Sequence, residues 1–291
     1  MSTSSYIVIT PVRDEAAYIG RTIESMARQT VRPRRWIVVD DGSSDESPQL
    51  VEAAAARLPW IDVIRRKDRG ARQSGAGVVE AFNAGLAAIR DLPWDYLVKL
   101  DGDLSFDESY FERCLEKFAV DANLGIGGGV VCVIDQGRPR VESVGDPCFH
   151  VRGATKIYRR SCWEDIGPLV QAPGWDTIDE VRANLKGWTT RTFGDIQLIQ
   201  HKPTGTADGI WRNWYKNGLA NYITGYDPLF MVAKCLKRAF STSPRLAAVA
   251  LAAGFCSGYL KRRPQVLDSQ AIAYLRRQQR RRLLLRSSIY G

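Results

Sequence analysis

The sequence predicts an α/β protein: a Rossmann-like, mostly parallel sheet flanked by helices, with a helical C-terminal extension. Three observations carry this. Short apolar runs rich in β-branched residues alternate with helically spaced segments roughly every 30 residues over the first hundred positions. Acidic and turn residues collect just after three of those runs, where open α/β sheets bind ligands. Beyond residue 231 the alternation gives way to a basic, partly apolar stretch.

The first strand is Tyr6-Ile7-Val8-Ile9-Thr10, ending at Pro11, which cannot continue a central strand. Residues 14–30 place Ala17, Ile19, Ile23, Met26 and Ala27 at near-helical spacing. Arg35-Trp36-Ile37-Val38-Val39 is the second strand. The polar run from Asp40 to Asp45 supplies a turn and a helix cap, with a helix expected through about Leu58. Ile61 to Ile64 is a third strand, residues 74–90 a helix, and Tyr96 to Leu100 a fourth strand. Gly125-Ile126-Gly127-Gly128-Gly129 then runs into a strand from Val130 to Ile134. It precedes a strand instead of opening a helix, so it is a poor phosphate loop. Neither a P-loop nor a strand–GxGxxG–helix unit occurs, which sets aside those nucleotide folds.

At 45% hydrophobic and 25% charged residues, the 291-residue chain has ordinary globular composition. This excludes wholly disordered, collagen-like and disulfide-scaffold classes. Six dispersed cysteines without a C-x-x-C pair argue against structural zinc and thioredoxin chemistry and suit a reducing compartment. The start, Met-Ser-Thr-Ser-Ser, has no basic leader region, so no signal peptide is expected. Charge is uneven. Residues 232–291 hold 13 Lys and Arg against the single acid Asp268, whereas residues 1–231 hold 28 against 31. A tail with that balance meets an anionic surface or is simply solvated.

The sharpest chemical motif is Asp101-Gly102-Asp103 at the end of the fourth strand. Two carboxylates separated by one small residue suit a hard cation such as Mg²⁺ or Mn²⁺ that bridges phosphates; alone, the same triplet is also an ordinary solvated turn. With Ile9-Thr10-Pro11-Val12-Arg13-Asp14-Glu15, Val39-Asp40-Asp41-Gly42-Ser43-Ser44-Asp45 and Asn83-Ala84-Gly85 in the same order, it makes the chain resemble the family 2 glycosyltransferases, the large inverting GT-A-fold family. The resemblance covers about residues 5–230.

The resemblance implies that Pro11, Arg13 and Glu15, with Asp40 or Asp41, hold the base and ribose of a nucleotide-sugar donor, of UDP or GDP type. By the same likeness, Arg72 meets the diphosphate as a bidentate cation or is a surface arginine. Asp101 and Asp103 fall on the D-x-D motif that holds Mn²⁺ or Mg²⁺ and the diphosphate. Aligning Arg182 and Gly187 with the family's helix end puts Asp176 on the catalytic base. Trp175 stands where Glu is usual, and Asp179 is a competing base. The alternative for both acids is a simple electrostatic role at a helix N-terminus. Within the family pattern His201 completes the metal shell or is structural, and Lys202 assists the leaving diphosphate. Trp175, Trp211 and Trp214 stack on sugars or fill the core. The implied reaction is a single displacement with inversion: a carboxylate deprotonates an acceptor hydroxyl, which attacks the anomeric carbon. Closure of residues 203–215 is expected to exclude water.

The extension, residues 232–291, follows a catalytic domain at 1–231. Leu246 to Leu260 is apolar for 15 residues, too short to span a bilayer, which takes about 20. With the Arg-rich run from 276 to 286 it reads as a basic amphipathic hairpin on an anionic membrane surface, peripheral on the cytoplasmic face, or as a helical pair closing the domain or contacting a second copy. The acceptor implied by the resemblance is a glycan or a lipid-linked saccharide. The rival functions are a sugar-phosphate nucleotidyltransferase, which needs a Gly- and Arg/Lys-rich loop where Pro11 to Glu15 stands, and a nucleic-acid binder. Aromatics are not interleaved with the tail arginines, so no nucleic-acid partner is expected.

Overall fold

A computed structural model describes residues 5–68, 70, 75–202, 209–241 and 246–291. The N-terminal half runs β1 (Tyr6–Val12), α1 (Ile19–Ala27), β2 (Arg35–Asp40), α2 (Ser47–Ala55), β3 (Ile61–Arg65), α3 (Ala76–Ala88) and β4 (Tyr96–Leu100). Next come β5 (Leu104–Phe106), α4 (Tyr110–Val120), β6 (Leu124–Asp135), β7 (Arg138–Val141), β8 (Thr155–Arg159), α5 (Arg160–Ile166), α6 (Trp175–Leu185) and β9 (Thr189–Gln200). The chain closes with helices α7 (Gly209–Ile223), α8 (Pro228–Ser241), α9 (Leu246–Leu260) and α10 (Ser269–Leu283).

One sheet has the order β3-β2-β1-β4-β8-β6-β9-β5, with β7 on β6. Its first four strands are parallel, as expected. Beyond β4 the sheet is mixed: β8 pairs antiparallel with both β4 and β6, and β5 antiparallel with β9. β6 and β9, each 12 residues long, pair in parallel with register shifts at Leu124/Ile126 and Gly129/Val130, the irregularities that bend long strands. The glycines of β6 serve packing. A Cβ on Gly127 would meet the Phe193 ring at 2.5 Å, and one on Gly128 the Thr155 carbonyl at 2.6 Å.

Two local expectations change. β1 runs through Pro11 to Val12, because β4 stops pairing at Ile9↔Lys99 and the missing N–H forfeits no ladder bond on that side. α1 starts at Ile19 instead of near residue 14. The N–H groups of Asp14, Glu15 and Ala16 are taken by Ser43 Oγ (3.0 Å), Ser47 Oγ (2.8 Å) and Asp45 Oδ2 (2.9 Å). Side chains of the β2–α2 turn thus offer these donors partners outside a helix.

Apolar clusters cover both sheet faces, one including Trp36, Phe111 and Phe118, the other Phe82, Trp163 and Trp175. A third joins Val181 of α6 to Tyr222, Met231, Leu251, Phe255, Ala271 and Leu275. The C-terminal helices therefore pack on the helix that carries Asp176, and Arg182 Nε pairs with Asp268 Oδ2 at 2.7 Å. The position between 231 and 232 lies inside α8. No helix among the described residues is long and apolar enough to cross a membrane.

α7 and α9 cross with their backbones nearly in contact. A Cβ on Gly218 would stand 2.0 Å from the Leu251 carbonyl oxygen, and one on Gly254 2.0 Å from that of Tyr215. Gly218→Ala forces the two helices apart. Its expected cost is at least the ~1–3 kcal/mol typical of overpacking, read as a lower urea midpoint at an unchanged slope.

Candidate active site

The ends of β1 and β2 form the first wall of a crevice. Val12 is level with Asp40 in the ladder, and Asp41 N–H donates to the Val12 carbonyl at 2.9 Å. Asp40 and Asp41 are both buried. Asp40 Oδ1 accepts from Ser43 N–H (3.1 Å), and Asp41 Oδ1 pairs with Arg66 at 2.6 Å. Arg13 donates to the Asp41 carbonyl and to Asp68 Oδ1, each at 2.8 Å. Gly42 has φ +78, and a Cβ there would lie 2.5 Å from Asp68 Cα. Only glycine both adopts that backbone and lets the loops touch. The structure thus brings Pro11, Arg13, Asp40 and Asp41 together. Arg72 lies outside the described residues.

The second wall is the turn after β4. Thr22 Oγ1 on α1 donates to the carbonyls of Gly102 and Leu104, at 2.9 and 2.8 Å, and fixes this turn under the β1 end. Lys99, almost wholly buried, turns its ammonium to Asp101 Oδ1 and to the Gly153 carbonyl. Asp103 is buried; it accepts from Gln200 Nε2 at 3.1 Å, and its carbonyl accepts from His201 N–H at 2.9 Å. Glu15 pairs with Lys202 at 2.8 Å. Burial, then the negative charges of Asp101 and Glu15, push the Asp103 carboxyl up to about 7, against the opposing Gln200 hydrogen bond.

The ring of His201 does not join them. One ring nitrogen is 2.6 Å from Arg21 and the other 2.8 Å from Ser105 Oγ. Burial and then the Arg21 charge hold its pKa below the ordinary value. The structure places the backbone of His201 at the Asp103 turn and its ring on Arg21 and Ser105. Among the described residues no three His, Cys, Asp or Glu side chains form a cation-holding group. The two aspartates still fit a hard cation, since such ions use one or two carboxylates plus substrate phosphates. Gln200 Oε1, buried beside Asp103, has no hydrogen-bond partner among the described atoms and adds a neutral oxygen to that wall.

The third wall is α6, opened by Gly174 in the left-handed conformation at φ +83. Asp176 is half-buried in its first turn. Its Oδ2 lies 3.1 Å from where a Cβ on Gly153 would stand. Because Lys99 ties Gly153 to Asp101, and Asp101 N–H donates to the Ala154 carbonyl at 2.8 Å, Asp176 and Asp101 flank one short segment. Asp179 sits on the inner side of the helix at 3% exposure. Its carboxylate accepts from Lys156 Nζ (2.8 and 2.9 Å), Tyr158 Oη (2.6 Å) and Glu180 N–H (2.7 Å). Enclosed in this way, the Asp179 carboxylate anchors α6 to β8.

Beneath α6 lies an ionic network that the sequence motifs do not announce. Lys99 and Lys156 are register partners on β4 and β8, and the Trp175 ring sits 5.6 and 5.5 Å from their ammonium groups. Trp175 is thus a core residue in a cation–π sandwich, not a sugar platform. Lys156 is fully buried and also bonds the Asp176 carbonyl. Burial disfavours its charge, but Asp179, Glu180 and Asp176 outweigh that and hold its pKa above the ordinary value. His150 is paired with Glu180 at 2.9 Å; although burial opposes its charge, Glu180 raises it to about 9. The signal available in the sequence is a lysine inside each of two otherwise buried strands, YLVKL and TKIYR, where charge is found only when paired. Trp211 is half exposed on α7, and Trp214 packs in the C-terminal cluster under Arg238. Residues 209–215, expected as part of a closing loop, are helical, and 203–208 lie outside the described residues.

Residues 7–163, more than half of the chain, match the model of glycosyl transferase family 2. The chain is 31% identical over 110 residues to the uncharacterized glycosyltransferase EpsJ of Bacillus subtilis, covering 38% of this chain and 29% of that one. It is 27% identical over 114 residues to chondroitin synthase of Escherichia coli, covering 39% and 15%. It therefore spans less than a third of either relative. Among solved structures it is similar to the mannosyltransferase PcManGT of Pyrobaculum calidifontis in complex with GDP-Man and Mn²⁺. The TM-score is 0.57 at 18% identity, over 94% of this chain and 79% of that one. It is also similar to S. aureus TarS 1–349 in complex with UDP-GlcNAc, with TM-score 0.54, 14% identity, and 88% and 73% coverage. At such identities these likenesses speak to the GT-A fold alone.

Proposed function

Because this chain belongs to glycosyl transferase family 2, we propose that it transfers a sugar from a UDP or GDP donor to a glycan or lipid-linked acceptor, with inversion, at the cytoplasmic face of a membrane. The observation that carries this is that Asp176 and Asp101 flank the Gly153 segment, while Gly102 between the two aspartates packs on Thr10 and Val12 of the strand end paired with Asp40. In this reading Asp40 or Asp41 receives the ribose, while Pro11 and Arg13 line the base. Asp101 and Asp103 hold a divalent cation, which when bound neutralises diphosphate charge. Lys202, which pairs with Glu15, turns in this reading to the leaving diphosphate. Asp176 takes the proton of the acceptor hydroxyl as its oxygen attacks the anomeric carbon. With Asp176 as base and no carboxylate assigned as nucleophile, the reaction is a single displacement. The Mn²⁺ and GDP-Man of PcManGT and the UDP-GlcNAc of TarS support a metal and a nucleotide-sugar donor of either type.

The test is incubation with UDP- and GDP-sugars, Mn²⁺ and saccharide acceptors. Release of nucleoside diphosphate with one donor is expected. No release from any donor, or pyrophosphate release from nucleoside triphosphates, overturns the reading. The raised Asp103 carboxyl adds a pH signature. Its protonated form is neutral and a poor ligand, so Mn²⁺–nucleotide binding weakens as pH falls through about 7. The loss approaches roughly tenfold per unit below that value. Calorimetry should detect proton release on binding near neutrality, and binding without proton release would show that Asp103 is not the titrating group.

A further inference from the structure

Resting on the membrane placement in that reading and naming its surface, we propose that the outward faces of α8 and α9, bordered by the arginines of α10, dock in-plane on an anionic lipid bilayer. α8 turns Leu229, Val232, Leu236 and Phe240 outward, at 69%, 58%, 54% and 86% exposure. Spacings of three, four and four residues stack them on one side of the helix. The other side carries Met231 and Cys235 into the cluster shared with Leu251 and Phe255. α9, packed on α8, also presents exposed Leu246 and Leu260 at its two ends. Apolar surface of this extent marks an interaction site.

Charge identifies the occupant. Asp227 accepts from Leu229 N–H at 2.9 Å and pairs with Arg280 Nε at 2.7 Å, while Arg276 Nε donates to the Gly225 carbonyl at 2.8 Å. These bonds set the basic face of α10 at the end of α8 where the apolar row begins. Arg277 and Arg281 are exposed on that same face. The exposed Lys261, Arg262 and Arg263 are tied alongside through the Arg263 carbonyl, which accepts from Tyr222 Oη at 3.0 Å. A bilayer with anionic headgroups satisfies both the aliphatic row and its cationic border. A second copy of the chain would set the same cations against each other, and nucleic acid has no use for the aliphatic row. α8 and α9, of 14 and 15 residues, measure roughly 21–23 Å. They are shorter than a hydrocarbon core of about 30 Å and so lie along it.

The test is co-sedimentation of the full chain with vesicles of phosphatidylcholine alone and of phosphatidylcholine with phosphatidylglycerol, at low and high salt. Salt-sensitive binding to the anionic vesicles is expected. L236E/F240E should lose on the order of a hundredfold in partitioning, since burying each such side chain is worth about tenfold or more. R277Q/R281Q should narrow the preference for anionic lipid. Both positions of the first pair are exposed, so the fold should survive; thermal unfolding checks this, and L236S/F240S replaces the pair if it does not. Three results overturn the proposal: no vesicle binding by the parent chain, binding that L236E/F240E leaves intact, or a dimer in light scattering that the same pair dissolves without any vesicle binding. Nucleoside diphosphate release to a soluble acceptor is read separately, so failure to dock and failure to transfer sugar are distinct outcomes.

Discussion

Asp176→Asn is expected to lower kcat by roughly 10²–10⁴-fold, the usual contribution of a general base, while leaving donor binding within a factor of a few. The amide keeps the size of the carboxylate and loses only the ability to take a proton. In the proposed reading donor affinity rests on the Asp40–Asp41 cup and the Asp101–Asp103 turn, which Asp176 borders across Gly153. The decisive comparison is Asp179→Asn. With three side-chain hydrogen bonds from Lys156 and Tyr158, Asp179 holds the fold of α6, so its replacement should lower the unfolding midpoint. If Asp179→Asn instead removes turnover at unchanged stability, and Asp176→Asn does not, the assignment of the base is wrong.

The second large effect concerns Lys156. Its ammonium is fully buried among Asp179, Glu180 and the Asp176 carbonyl. Lys156→Met removes the cation and leaves two buried carboxylates facing each other. Breaking a buried ion pair from one side costs about 3–5 kcal/mol, enough to threaten a domain of ordinary stability. Urea unfolding should show that loss at a preserved slope. Glu180 retains His150 as a partner, so adding Asp179→Asn to Lys156→Met should recover part of it. A loss under about 1 kcal/mol would show that water or relaxation neutralises the pair. The same network bears on pH. His150 is raised to about 9 by Glu180, so its contribution is full below the ordinary histidine range and fades as pH climbs through about 9.

The parallel half of the fold was legible because each of its strands is a short apolar run and each run is followed by polar turn residues. The mixed half was not. β6, β8 and β9 pair across long sequence separations, and whether such ladders run parallel or antiparallel depends on where bulges and helices return the chain. The α1 start is hidden in the sequence for a related reason. Asp14, Glu15 and Ala16 have helical neighbours in sequence, but their N–H groups are bound by Ser43, Ser47 and Asp45 from another turn. His201 shows the same limit at the site. Its place in the chain does bring its backbone to Asp103, yet Arg21 and Ser105 decide where the ring points.

By itself the sequence determined the strand–helix alternation, the aspartates at the strand ends and the excess of positive charge after residue 231, because these depend on local periodicity and composition. Only the tertiary structure tells Asp176 and Asp179 apart, three residues from each other in one helix: it leaves the first half-buried and encloses the second. The two lie only about 60° apart around the helix, yet Asp176 flanks Gly153 while Asp179 meets the buried Lys156, a difference set by what α6 packs against. Packing likewise decided that the C-terminal helices seal α6 on one side and keep an apolar row outward on the other.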